Sequence, residues 1–284
     1  MTPFKKTILA AALVAAAPLA MAADQQTGGF DMFLSGGVGY SQFSEDELDD
    51  MNAEFRASLA YTDKSGIGFQ LDNVYNRQYM GDAFDWASTF DIAGHMYYRA
   101  SGWQAGAFYQ NRSFDYETGD PSADASLDAS MDDQHFYGIE GQGFFGNLTV
   151  GGQLGQHKVS FAGGVLDDTG TFGTLHARYF LNDNWRLDAD YLYDTFEIEG
   201  FDSKTQKFGV GTEYRLNNSP LSMFAQYARV NYDFDGYDMD EDRVMVGVKL
   251  NFGKGTLRQR DRDGASLNPV PSMGLSALSI PAMP

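Results

Sequence analysis

The sequence predicts an all-β protein, a transmembrane antiparallel β-barrel of about twelve strands with short periplasmic turns and long extracellular loops. Three observations support this fold class: apolar and polar residues alternate from Phe30 to Phe252, the alternating segments are even in number, and the links between them alternate in length. Successive side chains of a strand point to opposite faces, so each segment has one apolar and one polar face. Such segments with unequal links at the two ends are typical of bacterial outer-membrane barrels.

The last predicted strand, residues 243–252, shows the alternation most clearly. One face carries only apolar residues, and the other carries Arg243, Lys249 and Asn251 among smaller or flexible ones. The least regular segment is the eleventh strand, Leu221 to Tyr232, in which Phe224 and Arg229 interrupt the alternation. A β-bulge or a position at the barrel rim would account for this interruption.

The first 22 residues have the features of a secretory signal peptide. Two lysines precede an apolar run from Thr7 to Ala17, and Leu19-Ala-Met-Ala22 offers small residues at a cleavage site. We therefore predict a signal peptide over 1–22 and a short periplasmic lead over 23–29. The alternative is a membrane anchor, for which the run is barely long enough. Later in the chain no apolar run reaches 18 residues, so membrane insertion would have to use strands.

The composition narrows the functional classes further. The chain has 39 Asp and Glu against 20 Lys and Arg, a net charge of -19, and no cysteine. Its acidity disfavours nucleic acid as a partner, and the absence of cysteine excludes a disulfide framework. No phosphate-binding glycine loop or nucleotide fingerprint occurs in a suitable context, so we predict no cofactor.

The links between strands define two different barrel ends. Short links fall at 63–65, 100–102, 146–147, 182–184 and 217–220, and they consist of turn-forming residues. The other links are mostly longer and often acidic, as at 44–50, 113–133 and 233–242. The short links are expected at the periplasmic end, where both ends of the barrel chain would also lie.

Aromatic residues on the apolar face form two bands, as expected for the two interfaces of a bilayer. The band near the long links includes Tyr40 and Tyr109. A soluble barrel would turn its apolar face inward and would have no reason to band its aromatics. The predicted interface residues near the short links are Tyr61, Tyr98, Trp103, Trp185, Tyr214 and Phe252.

From about Phe30 to Phe252 the sequence resembles bacterial outer-membrane porin-like β-barrel proteins. The signal peptide, the alternating strands, the link asymmetry and the aromatic end of the last strand, Leu250-Asn-Phe252, carry the resemblance. That last feature is similar to the C-terminal recognition signal of this class. The resemblance implies location in the outer membrane, contact with its lipid and lipopolysaccharide, and insertion by the barrel assembly machinery.

The chain departs from that class because residues 253–284 follow the last strand. This segment is basic at first and then rich in Pro, Ser and Met, and we predict a flexible periplasmic tail. Contact with peptidoglycan or another periplasmic partner, or insertion into the lumen, are the alternatives.

Residues on the polar face of each predicted strand are expected to line the inner wall of the barrel. Charges of both signs nearly balance there, which suits either a network of paired buried charges or a narrow water-filled pore. We predict passive diffusion of small hydrophilic solutes, with cations favoured by the acidic outer rim. The alternative is a plugged structural or surface-interaction barrel. The predicted pore-lining residues are Glu54, Arg56, Asp72, Asp91, Arg99, Arg112, Glu140, Arg178, Arg186, Asp188, Asp190, Glu213, Arg215, Arg243 and Lys249.

Two further activities, lipid hydrolysis and metal binding, lack a matching motif in the sequence. Some outer-membrane barrels are phospholipases with a Ser/His pair on the lipid-facing wall, but neither His135 nor the pair His157 and Ser160 matches that motif. We therefore predict no enzymatic activity. The acidic segment 233–242 offers oxygen ligands for Ca²⁺ or Mg²⁺ but lacks EF-hand spacing, so no metal site is predicted.

Overall fold

The computed structural model describes residues 29–44, 49–79, 86–117, 131–161, 166–198, 201–234, 237–252 and 255–271. These residues form a closed antiparallel barrel of twelve strands and one short helix, α1 (Leu257–Asp263). The strands are β1 (Gly29–Phe43), β2 (Asp49–Thr62), β3 (Ile67–Tyr79), β4 (Trp86–Arg99), β5 (Trp103–Glu117), β6 (Met131–Phe145), β7 (Leu148–Phe161), β8 (Leu166–Asn182), β9 (Trp185–Ile198), β10 (Phe201–Arg215), β11 (Leu221–Phe234) and β12 (Tyr237–Phe252).

Each strand pairs with its neighbours in sequence, and β1 pairs with β12 to close the barrel. At this seam the register runs from Met32 opposite Phe252 to Phe43 opposite Glu241. The shortest strand has 13 residues and the longest 17. About 9–11 tilted residues cross the hydrocarbon layer, so the strands continue beyond the membrane. Closure leaves no sheet edge unpaired, which is the condition for strands to span a bilayer. The predicted fold class is confirmed.

Side chains on the apolar face of each strand point outward. Large apolar side chains of alternate positions are exposed on the outer surface, among them Met96, Ile139 and Leu154, while intervening polar side chains such as Gln70 and Gln110 are buried inside. Of the predicted interface aromatics, Tyr98, Trp103, Trp185 and Tyr214 are exposed there, and Tyr61 and Phe252 are half-buried. None of the described helical residues forms a segment long and apolar enough to cross a bilayer.

The links after β2, β4, β6, β8 and β10 lie at one end of the barrel, here named the turn end, and the opposite end is named the loop end. In the first of these turns the Asp63 carboxylate accepts hydrogen bonds from the Ser65 hydroxyl and from the backbone N–H groups of Ser65 and Ile67. The Ser65 hydroxyl, with these amides, lowers the pKa of Asp63.

At the loop end the strands extend into segments that the sequence analysis placed in loops. Residues 113–117 continue β5, and most of the acidic segment 233–242 belongs to β11 and β12. Continued pairing satisfies the backbone of these residues, while their polar side chains remain compatible with water outside the membrane. The lengths of these strands were underestimated, because the alternation of apolar and polar residues ends where both faces of a strand become polar.

Strand β11 pairs with β10 and β12 without a register shift, so no bulge explains its irregular pattern. Phe224 faces inward, where ideal Cβ positions at Gly37 and Gly247 would meet its ring. Arg229 faces outward near the loop end and pairs with Asp240. The rim position proposed for Arg229 is therefore the correct explanation. Among the described pairings, register shifts occur instead between β6 and β7 and between β8 and β9.

The segment after β12 requires a correction, because the described part of the predicted flexible periplasmic tail, 255–271, lies inside the barrel. Helix α1 begins with a capping box in which Thr256 and Gln259 exchange hydrogen bonds. Its Leu257, and Leu267 and Val270 beyond it, are almost fully buried. These apolar groups leave water only if the segment enters the lumen, which was one of the alternatives weighed. The predicted signal peptide, residues 23–28 of the lead and residues 272–284 lie outside the described residues.

Candidate functional site

All fifteen predicted pore-lining residues lie on the inner wall, each in phase with buried polar neighbours and out of phase with exposed apolar ones. The tail segment divides them into two groups. Arg56, Arg99, Arg112 and Arg178 bond directly to the tail. The others pair with these four residues or line the wall beside them. Conduction past these residues stays a prediction.

One buried cluster crosses the lumen between β2, β3, β4 and β6. Arg56 Nη2 lies 2.8 Å from the Asp72 carboxylate, and the His95 ring lies between Asp72 and Glu140, at 3.3 Å and 2.8 Å. Gln70 also donates to Asp72. Each buried charge here has an opposite charge or a hydrogen-bond donor in contact, as burial demands. His95 shares the inward parity but was not among the predicted site residues.

A second buried pair lies nearer the loop end. Arg112 contacts the Asp91 carboxylate at 2.7 Å, and its guanidinium stacks over the ring of Phe136 at 5.0 Å. Next to it, Phe136, Phe108, Phe172 and Leu192 form an apolar cluster inside the barrel. This cluster was not predictable from the sequence pattern, because its apolar residues stand at inward positions among polar neighbours.

The wall formed by β9, β10 and β12 carries a third network. Glu213 accepts from Lys249 at 2.8 Å and from Arg186 at 3.0 Å, and Arg186 also contacts Asp188. Toward the loop end Arg243 pairs with Glu241. Glu241 was missed because it fell in a segment predicted as loop, although its parity with Arg243 would have placed it on the inner wall.

Helix α1 is fixed to the turn end of the lumen by ion pairs on two sides. Asp261 accepts from Arg178 Nη1 at 2.7 Å and from the Thr149 hydroxyl at 2.5 Å. On the other side Arg260 contacts Asp31. Burial raises the pKa of Asp261, but Arg178 and Thr149 lower it more, so the carboxylate titrates below its usual range. Asp31 was missed because it precedes the regular alternation of β1.

The extended segment 264–271 rises from α1 toward the middle of the lumen. Its backbone is held at Leu267 by Gln70 and Arg56, and at Val270 by Gln110 and Arg112. The Val270 side chain completes the apolar cluster of the inner wall. The tail therefore occupies the space that a solute would cross.

The space left around the tail is small. A cavity of about 60 Å³ separates it from the wall of Arg186, Glu213 and Lys249, and one of about 30 Å³ lies beside Pro269 and Pro271. A cavity of about 230 Å³ opens at the turn end, beside Asp63 and Arg99. Neighbouring side chains fill the space beside five glycines of the inner wall. These are Phe224 and Met245 at Gly37, Asn52 at Gly39, Gln142 and His176 at Gly151, Asp190 at Gly209, and Gln226 at Gly211.

Two histidines considered for catalysis have other partners. His135 faces outward, with Nδ1 2.8 Å from the Tyr109 hydroxyl, and His157 contacts Asp194 inside the barrel. The side chain of Ser160 lies outside the described set. Among the described residues, no group of three or more His, Asp or Glu side chains is arranged to hold a metal ion.

Comparison with known proteins agrees with this fold. The family model described as Gram-negative porin matches residues 54–236, more than half of the chain. No curated protein gives a significant match. An outer-membrane channel from Pseudomonas putida F1 superposes with a TM-score of 0.57 at 11% identity, covering 81% of this chain and 97% of that chain.

Two further solved structures superpose less closely. The KdgM porin in complex with disordered oligogalacturonate gives a TM-score of 0.47 at 10% identity, covering 76% of this chain and 98% of that chain. A loop-deletion mutant of OmpT, an outer membrane protein of Vibrio cholerae, gives a TM-score of 0.46 at 10% identity, covering 80% of this chain and 100% of that chain. At such low identities these structural likenesses show the fold alone.

Proposed function

The chain belongs to the Gram-negative porin family of the outer membrane, and from this premise we propose that it conducts small hydrophilic solutes passively when its tail leaves the lumen. Family membership favours a non-enzymatic channel. The observation that carries the proposal is the docking of segment 256–271 on a polar inner wall. Departure of this segment would free the space that it occupies in the lumen as a path for solutes.

The contacts that hold the tail are suited to release. Arg56 and Arg112 each pair with a wall carboxylate, Asp72 and Asp91, so they keep a counter-ion when the tail moves out. The wall would then present alternating Arg and carboxylate groups to solvent. Such a lining favours hydrated polar solutes over apolar ones.

The proposed preference for cations rests on the loop end. Asp238, Asp240, Glu241 and Asp242 lie close together in β12, and Asp233 is the penultimate residue of the neighbouring strand β11. Their summed negative potential would concentrate cations at the mouth and repel anions. The inner wall contributes little to this preference, because its charges are nearly balanced.

The test is a planar-bilayer recording of the mature full-length protein and of a chain that ends at Phe252. Heat-modifiable gel mobility first establishes that each is folded. We expect rare or small openings from the full-length protein and steady conductance from the shortened chain, with a reversal potential in a KCl gradient that indicates cation preference. A folded shortened chain that stays silent would support the second candidate, a structural barrel plugged by its own side chains. A preference for anions would overturn the proposed role of the acidic loop end but would leave the proposed channel unaffected.

A further inference from the structure

The wall holds segment 264–271 mainly by its backbone. The Gln70 amide donates to the Leu267 carbonyl at 2.7 Å and accepts from the Leu267 N–H at 3.2 Å. The Gln110 amide does the same with Val270, at 3.2 Å and 2.7 Å. A side-chain amide that pairs with both backbone groups of one residue recognises a peptide unit, whatever side chain that residue carries.

Four further donors reach backbone carbonyls of the same segment. They are Arg99 to Gly264 at 2.8 Å, Arg56 to Leu267 at 3.0 Å, Gln153 to Asn268 at 2.7 Å, and Arg112 to Val270 at 3.1 Å. The side chains of this segment make fewer hydrogen bonds than its backbone. Gln142 donates to the Ser266 hydroxyl, and Arg56 donates to the side-chain oxygen of Asn268. The donors come from β2 to β7, so one side of the barrel forms the site.

Side-chain selection falls on two positions three residues apart. Leu267 and Val270 are almost fully buried, and Val270 packs in the cluster of Phe108, Phe136, Phe172 and Leu192. Pro269 and Pro271 have no N–H, so they bring no backbone donor into the lumen that would need a partner. Prolines also restrict the free peptide to extended conformations, which reduces the entropy lost on binding.

We propose that the inner wall of β2 to β9 is a binding site for extended proline-containing peptides of the pattern apolar–x–Pro–apolar–Pro, and that segment 264–271 is its intramolecular ligand. This proposal deepens the proposed function, on which it rests, by naming the solute class that competes with the tail. The paired N–H and C=O recognition by Gln70 and Gln110 favours a peptide over an oligosaccharide, and the cluster of Phe108, Phe136, Phe172 and Leu192 supplies the apolar pocket.

A free peptide faces strong competition in the native protein. The tail is tethered to β12, so its effective concentration at the wall is on the order of millimolar. The site is therefore best exposed in full-length variants whose own anchor is spoiled while the wall stays intact. Val270→Asp places a carboxylate in the aromatic cluster, and the double variant Leu267→Asp/Val270→Asp spoils both apolar anchors.

The experiment uses a fluorescent peptide with the sequence of residues 264–271. Fluorescence anisotropy measures its binding to both folded variants, and bilayer recording measures whether it blocks the conductance of these variants. Control peptides carry Val→Asp at the position of Val270 or a scrambled order, and a maltooligosaccharide tests the sugar alternative. We expect saturable binding of the native peptide at least tenfold tighter than either control peptide. Adding Gln110→Ala to the variant should weaken that binding about tenfold.

Every outcome decides between the two proposals. Sequence-selective binding supports the peptide site whether or not these variants conduct, and a folded chain ending at Phe252 that stays silent overturns the channel. If the variants conduct but bind the native and scrambled peptides equally, the peptide site is overturned and the channel is retained. The same conclusion follows if only the maltooligosaccharide blocks their conductance. Absence of peptide binding to both variants also overturns the peptide site.

Discussion

The guanidinium of Arg260 lies 2.7 Å from the carboxylate of Asp31, and it also donates to the carbonyls of Met32 and Phe252, at 3.0 Å and 3.1 Å. Met32 and Phe252 are opposite each other where β1 and β12 close the barrel. One residue of the tail thus binds both strands of the seam. The tail stabilises the closure of the barrel as well as filling its lumen.

We expect Arg260→Ala to destabilise the whole barrel. Removing one partner of a buried ion pair costs about 3–5 kcal/mol, because the other charge is left buried and unpaired. The change should lower the temperature at which the folded barrel loses its compact gel mobility. The matched control is Arg258→Ala, since Arg258 pairs with Asp183 at a distance of 2.6 Å but both side chains are more than a third exposed.

Exposed pairs contribute about 0–1 kcal/mol, so the Arg258 variant should melt close to the native protein. Equal melting of the two variants would contradict a role for Arg260 at the seam.

Asp261→Asn should loosen the tail without opening the seam. The amide keeps the shape of the carboxylate but loses its charge, and Arg178 then lacks its counter-ion. A hydrogen bond to a charged group contributes about 1.5–3 kcal/mol, which corresponds to roughly a tenfold to hundredfold rise in the released population. Single-channel recording should show open probability rising by that factor.

Asp263→Asn is the control for this change, because Asp263 lies in the same helix turn but is exposed. An open probability that rises equally in both variants would mean that the charge of Asp261 has no specific effect on docking.

Acid pH should release the tail in the native protein. The pKa of Asp261 is lowered in the docked state, because Arg178 and Thr149 outweigh the opposing effect of burial. A carboxylate with a lowered pKa stabilises the docked state above its pKa in the released tail, about 3.9, and this contribution is lost as the pH falls below that value. Open probability should therefore begin to rise below about pH 5 and should keep rising as the pH falls toward the lowered pKa of Asp261.

The Asp261→Asn variant separates this effect from the titration of other carboxylates. Its acid response should be smaller than that of the native protein, since residue 261 no longer titrates. Identical pH profiles for the two proteins would assign the response to other groups.

Strand parity made most of the fold predictable, because each spanning strand must turn an apolar face to lipid and a polar face inward. The same rule placed Arg56, Asp72 and Lys249 on the inner wall. The rule was not applied to Asp31 and Glu241, because both lie near strand ends, where apolar residues no longer alternate with polar ones. Composition alone also failed for the tail, because three buried apolar residues, not its overall polarity, decide its place.

Which side chains meet across the lumen was not predictable from sequence. The contact of His95 with Asp72 and Glu140 joins β3, β4 and β6, and it depends on barrel diameter and register, which a period-two pattern does not encode. The space beside wall glycines was not predictable from sequence for a related reason. A glycine leaves space on its own strand, but the side chain that fills this space comes from a neighbouring strand.

Gly247 provides a direct test of that packing. A Cβ atom at Gly247 would lie 2.4 Å from the backbone oxygen of Gly36 and 2.4 Å from the ring of Phe224, so Gly247→Ala forces the backbone or the ring to move. We expect a loss of about 1–3 kcal/mol, the usual cost of overpacking, seen as a lower unfolding midpoint in urea with lipid vesicles. Gly94→Ala is the matched control, because a Cβ there meets no atom within 4 Å. The control should unfold at the native midpoint or slightly above it, since alanine restricts the unfolded chain more than glycine does. If Gly247→Ala and Gly94→Ala unfold together, Phe224 does not pack against the β1–β12 seam as the structure shows.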